Sequence, residues 1–195
     1  MTEARTFQQR LDKILPRLIS DELLSNTGLG NEIGFYIFDY PPEHELEMRE
    51  HIGFLLTQIP KKRPDIRVTH INLFHLLVDY LKDRKLLDRL IAEQRKNGAN
   101  GKLLSELRNG PLKSERIARE FVTRANPTDH DLVMVSGVGN AYPLLRSHLL
   151  LKALHTPMGD TPLVMFYPGI YTGQGLRLFG KLSSSNYYRA FRLVL

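Results

Sequence analysis

The chain has 195 residues, of which 42% are hydrophobic and 25% charged, an ordinary balance for a globular protein with the length for one sizeable core. It contains no cysteine, which excludes disulfides, thiolate nucleophiles and cysteine-ligated zinc. The formal charge of +6 favours encounters with nucleic acid or acidic partners, yet Lys61-Lys62-Arg63 and the scattered Arg84, Lys85, Arg89, Arg95 and Lys96 lie in a short loop or among acids and read as a solvated face.

In chain order, Phe7, Leu11, Ile14, Leu15, Leu18 and Ile19 recur at helical spacing, which predicts an amphipathic helix over residues 7–24, broken or kinked at Pro16. Turn chemistry follows at residues 26–31, and Gly34-Phe35-Tyr36-Ile37-Phe38 predicts a buried strand that ends at Tyr40-Pro41-Pro42. Pro42 and the acids Glu43, Glu45 and Glu47 suit the first turn of a helix over residues 42–59, closed off by Pro60 and Pro64. Residues 66–73 predict a second strand, with Asn72 as the cap of one long helix running through Phe74 and Ile91 to a stop at Asn97-Gly98. Two shorter helices are expected over residues 102–108 and 114–124.

Leu132-Val133-Met134-Val135 predicts a third strand, and Ser136-Gly137-Val138-Gly139-Asn140 the glycine corner that leads from it into a helix carrying Leu144, Leu149 and Leu154. Residues 162–167 predict a fourth strand and residues 189–195 a terminal one. Strands alternating with helices imply an α/β fold: a single domain over residues 1–195, with a mainly parallel central sheet, helices on both faces, and residues 1–25 as an N-terminal helical segment. No apolar run approaches the roughly 18 residues of a bilayer span, and Met1-Thr2-Glu3-Ala4-Arg5 lacks the apolar core of a signal peptide, so a cytoplasmic location away from membranes is expected.

In such a sheet the carboxyl ends of the strands gather on one edge, which makes Asp39, Ser136, Gly137, Gly139, Asn140 and Arg146 the candidate strand-edge site. Asp39 at the end of an apolar strand has the pattern of a magnesium-binding aspartate, but also that of any buried strand leaving a core. Glu43, Glu45 and Glu47 beside it oppose a phosphate. Gly137 and Gly139 with Arg146 suit an anion-binding nest or simply a tight turn, and no lysine and hydroxyl pair follows them as in a phosphate-binding loop. Ser136 does not match a nucleophile elbow. The pairs His44/His51 and His148/His155 fall short of the three ligands of a catalytic metal site. No catalytic residue, metal or cofactor is assigned.

Over residues 167–181 four glycines separate aromatic, aliphatic and basic side chains. This connection either exposes Tyr171, Gln174, Arg177 and Phe179 as an interaction loop or folds Leu176, Leu178 and Phe179 back onto the sheet.

Several motifs in order carry a resemblance that spans the chain from about residue 20 to its end. They are Gly28-Leu29-Gly30-Asn31-Glu32 leading to Phe38-Asp39-Tyr40-Pro41-Pro42, then Ile71-Asn72-Leu73-Phe74, and Ser136-Gly137-Val138-Gly139 with Tyr142-Pro143-Leu144-Leu145-Arg146-Ser147-His148. Phe166-Tyr167-Pro168-Gly169, Leu176-Arg177-Leu178-Phe179-Gly180-Lys181-Leu182 and Asn186-Tyr187-Tyr188-Arg189-Ala190-Phe191 complete the set. With these the sequence resembles the BrxB family, a core component of the BREX systems with which bacteria exclude bacteriophages. The resemblance implies membership of a machine that also contains a DNA methyltransferase, a large ATPase and PglZ, a protein of the alkaline phosphatase-like superfamily. It brings no catalytic residues with it. The implied role is a non-enzymatic adaptor with PglZ as the first partner, the methyltransferase and ATPase as further ones, and DNA met weakly or indirectly. A nucleotide-binding switch or a non-specific DNA-binding module within the same complex is the alternative.

Overall fold

Apolar residues three and four apart build the first helix, α1 (Thr2–Leu18), and bury Leu11, Ile14 and Leu18 against the sheet. The computed structural model describes residues 2–25, 34–98, 101–183 and 190–195. Pro16 does not break α1, because one missing N–H within the last turn costs little. The break comes at Ser20, whose hydroxyl donates to the Arg17 carbonyl (2.8 Å) and accepts from the Leu23 amide as it caps α2 (Asp21–Leu24). The turn expected at residues 26–31 lies outside the described residues.

Strand β1 (Phe35–Tyr40) is buried along its whole length. Pro41 and Pro42 lead into a short 3-10 turn (Pro42–His44), so that α3 (Glu45–Lys62) starts three residues later than predicted and runs through Pro60 to Lys62. β2 (Val68–Asn72) passes into α4 (Leu73–Asp83), where the Asn72 side chain accepts from the amides of Phe74 (3.1 Å) and His75 (3.2 Å), the predicted cap. The single long helix expected to follow is two helices, α4 and α5 (Leu87–Asn97). Lys85 adopts a left-handed backbone (φ +56°) and the Leu86 amide reaches back to the Leu81 carbonyl (2.9 Å), which closes α4 with the hydrogen bond of a Schellman stop.

The chain continues through α6 (Gly101–Asn109), α7 (Ser114–Ala125), β3 (Leu132–Ser136), the single turn α8 (Val138–Ala141) and α9 (Ser147–Leu154). β4 (Leu163–Tyr171) runs past the predicted end at residue 167 and turns back through β5 (Leu176–Leu178) to β6 (Leu182–Ser183), so the expected loop is a hairpin. The terminal strand expected over residues 189–195 is the short β7 (Phe191–Arg192); residues 193–195 are described and lie outside any strand.

The five main strands are parallel in the order β2-β3-β4-β1-β7, with Phe35 opposite Leu163 and Tyr36 opposite Phe191. The crossover from β1 to β2 runs one way along the sheet and those from β2 to β3 and β3 to β4 run back, which lays their helices on opposite faces. Tyr36, Phe38, Met134 and Phe166 pack under α1 and α3, while Phe35, Ile37, Val133, Val135 and Met165 pack under α4, α7 and α9. The fold is the α/β architecture expected, with a mostly parallel sheet covered on both faces. Among the described residues no helix is long and apolar enough to cross a membrane.

Candidate functional site

The parallel strands bring the candidate residues to one edge of the sheet, but into three separate settings. Asp39, 7% exposed, accepts from Arg10 Nη2 at 2.9 Å and the Tyr171 amide at 2.9 Å, and both its oxygens lie within 3.2 Å of Arg192 Nη1. Arg192 Nη2 also donates to the Tyr171 carbonyl, and Arg10 lies over the Phe38 ring with its guanidinium carbon 4.7 Å from the centroid. The carboxylate is thus the buried tie between α1, β1, β4 and β7, and its lone pairs are occupied. The magnesium-type reading of Asp39 gives way to a structural one, because two arginines already neutralise it.

Two of the acids after β1 are engaged as well. Glu45 pairs with Arg49 at 2.9 Å and accepts from the Tyr40 hydroxyl at 2.6 Å, and Glu47 meets His44 at 3.0 Å. Burial, and then the Glu45 carboxylate, push the Tyr40 hydroxyl pKa up.

At the second corner Ser136 is buried and its hydroxyl lies 2.8 Å from His70 Nε2 on the neighbouring strand, a partner that the sequence did not assign. Burial holds His70 below the usual imidazole range, with His75 adding to the shift. Nothing in the sequence signals this pair, because strand register alone places residues 66 positions apart together. Gly137 has φ +71°, and a Cβ there would come within 2.4 Å of Asn72 Oδ1, so the corner rests directly on the cap of α4. Gly139 lies beneath Phe179 and Pro168, and Asn140 accepts from Arg49 Nη2 at 2.8 Å. These residues join elements to one another.

The hairpin settles the choice between exposed loop and folded-back loop by strand alternation. Leu176 and Leu178 point into the core while Arg177 between them is exposed. Tyr171, expected as a surface anchor, is fully buried: its ring packs in the core and its hydroxyl donates to Ala190 O and accepts from the Ala190 amide. It cannot reach a partner. Gln174 is exposed at the hairpin turn, and Phe179 is 37% exposed, edge-on to Tyr142 with ring centroids 6.5 Å apart. Ile170, 45% exposed, adds to this apolar surface. Phe179 holds a left-handed backbone (φ +54°), fixed by its amide bond to the Pro168 carbonyl at 2.9 Å.

Arg146 belongs to a third setting. A cavity of about 390 Å³ opens between the start of α9 and the hairpin, lined by Arg146, Ser147, His148, Tyr167, Leu178 and Lys181 among others. Burial, followed by the charges of Arg146 and Arg108, lowers the pKa of His148. Among the described residues no group of three or more His, Asp or Glu side chains is placed to hold a metal ion.

A family model described as BREX protein BrxB matches residues 69–193. A BREX protein BrxB from Escherichia coli O9:H4 (strain HS) is 42% identical over 187 residues, which covers 96% of this chain and 91% of that protein. Another from Bacillus cereus (strain H3081.97) is 38% identical over 192 residues, 97% of this chain and 98% of its own length. No solved structure matches. With the family model covering more than half of the chain and both relatives aligned over nearly all of it, this chain belongs to the BrxB family of BREX proteins.

Proposed function

We propose that the protein is a non-enzymatic adaptor of a BREX phage-defence complex and that the outer surface of its β4–β5 hairpin contacts PglZ, with the BREX methyltransferase and ATPase as further partners. Family membership supports a role in BREX phage defence. The observation that carries the adaptor reading is Phe179, an aromatic residue held half in solvent on a left-handed backbone that disfavours it. The arrangement presents Phe179, Ile170 and Arg177 on a platform anchored below by Tyr171 and Asp39. Aromatic and arginine side chains on a rigid base are the anchors that dominate protein interfaces. Asp39, Glu45 and Glu47 at the sheet edge are engaged internally, which supports a role through contacts and not chemistry.

The test is co-purification of BREX proteins from cells carrying the whole defence cluster, using wild type, Arg177→Glu and Phe179→Asn. Asparagine tolerates the left-handed backbone, so Phe179→Asn removes the anchor without asking the turn to change. Loss of one central anchor costs about 2 kcal/mol, a roughly thirtyfold weakening. Folded variants that retain full PglZ recovery and phage protection would disprove the hairpin assignment. Recovery of no BREX component with wild type would disprove the adaptor role.

A further inference from the structure

Two cationic side chains, Arg146 and Lys181, line the cavity beside the hairpin. Arg146 stands at the start of α9 and Lys181 in the turn between β5 and β6, and neither pairs with a carboxylate among the described residues. Arg108 of α6 stands behind Arg146, the two sharing the lining of a smaller adjoining hollow. Arg108 is held below its usual range by burial first and the charge of Arg146 second, with Tyr142 opposing the shift. Ser147 and His148, in the first turn of α9, open the helix at this wall, where amide groups and the helix dipole favour an anion. Apart from Ser183, the rest of the lining is apolar and aromatic, including Leu145, Leu176, Leu178 and Tyr142. A concave space of about 390 Å³ is within the range of small-molecule sites and larger than a bare phosphate needs.

We propose that this cavity binds a small organic phosphate, with Arg146 and Lys181 meeting the phosphoryl group at the amino end of α9 and the tyrosine and leucine wall taking an apolar or aromatic body. The phosphoryl oxygens offer acceptors for both cations at once, while the Ser147 hydroxyl is already hydrogen-bonded to Tyr167. The site differs from a phosphate-binding loop in that side chains supply the positive charge and no glycine cradle is involved. It also goes beyond the adaptor role, since it concerns the isolated protein and a surface on the other side of the hairpin from Arg177.

Adenosine 5′-monophosphate, adenosine and inorganic phosphate are the probes, titrated into the isolated full-length protein by calorimetry and by amide chemical-shift mapping. The expected result is saturable binding of the monophosphate with shifts at Ser147, His148 and Leu178, weaker competing binding of inorganic phosphate, and no saturation with adenosine. Arg146→Gln and Lys181→Gln, at exposed positions that leave the core intact, each weaken the monophosphate about tenfold, the loss of one charge-assisted contact. Arg89→Gln, which removes an exposed charge on α5, leaves binding unchanged. The proposal is overturned if the monophosphate fails to saturate at about 10 mM, a level far weaker than a built site provides. It is equally overturned if adenosine binds as well as the monophosphate, if inorganic phosphate binds as tightly as the monophosphate, or if both cavity variants bind like wild type. None of these results bears on PglZ recovery, so this site and the adaptor role fail separately.

Discussion

Replacing Asp39 with alanine removes the acceptor for Arg10, Arg192 and the Tyr171 amide in one step. The side chains of Asp39, Arg10 and Arg192 are 10%, 20% and 36% exposed, so Asp39 and Arg10 are largely withdrawn from water while Arg192 is partly hydrated. Breaking a buried pair costs about 3–5 kcal/mol, because the remaining charge is left uncompensated, and the exposure of Arg192 places the loss near the lower end, about 3 kcal/mol. For a chain of this size that corresponds to a fall in Tm of about 6–12 °C. Asp39→Asn keeps an acceptor for the Tyr171 amide and loses the charge, so its destabilisation is expected to be roughly half as large. Urea denaturation and thermal melts of wild type and the two variants give both numbers. A loss below about 1 kcal/mol for Asp39→Ala would refute the role of Asp39 as the tie between α1, β1, β4 and β7. So would stabilisation of wild type by magnesium that disappears in Asp39→Ala, since a metal-binding carboxylate is then the better account.

Gly137→Ala is expected to destabilise by about 2–3 kcal/mol in urea melts, from the left-handed backbone and the clash with Asn72 Oδ1 at the cap of α4. Burial depresses His51, His70 and His148, so the folded chain binds fewer protons than the unfolded one just below the ordinary value of 6.5. Stability is therefore complete above that value and declines as pH falls through the lower folded values; denaturant melts between pH 7.5 and 5 should show the decline, and His70→Gln should make it shallower. ATP and GTP should remain unhydrolysed by the isolated protein in a phosphate-release assay, because no phosphate-binding lysine follows the glycine corner. DNA binding by the isolated protein should weaken steeply with salt and not discriminate specific from scrambled duplexes in titrations.

The features legible in the sequence are those that depend on neighbours along the chain. The apolar runs of β1, β3 and β4 and the cap at Asn72 show in spacing and residue type, since burial of a face and satisfaction of the first helical amides are local demands. The break between α4 and α5 was not legible, because a lysine and not the usual glycine holds the left-handed position at residue 85. Pro16 and Pro60 misled in the other direction, since a proline near the end of a helix removes only one of its bonds.

The edge of the sheet follows a different rule. Element spacing and motif order in the sequence pointed to an α/β chain of the BrxB family. Only the tertiary structure decided that Asp39 is spent on two arginines, that Ser136 faces His70, that Tyr171 lies inside and Arg177 outside, and that Arg146 and Lys181 line one cavity. Each of those facts is a pairing between residues far apart in sequence. It is fixed by strand register and by where the hairpin folds back, and a one-residue shift in either would reverse which side chains are buried.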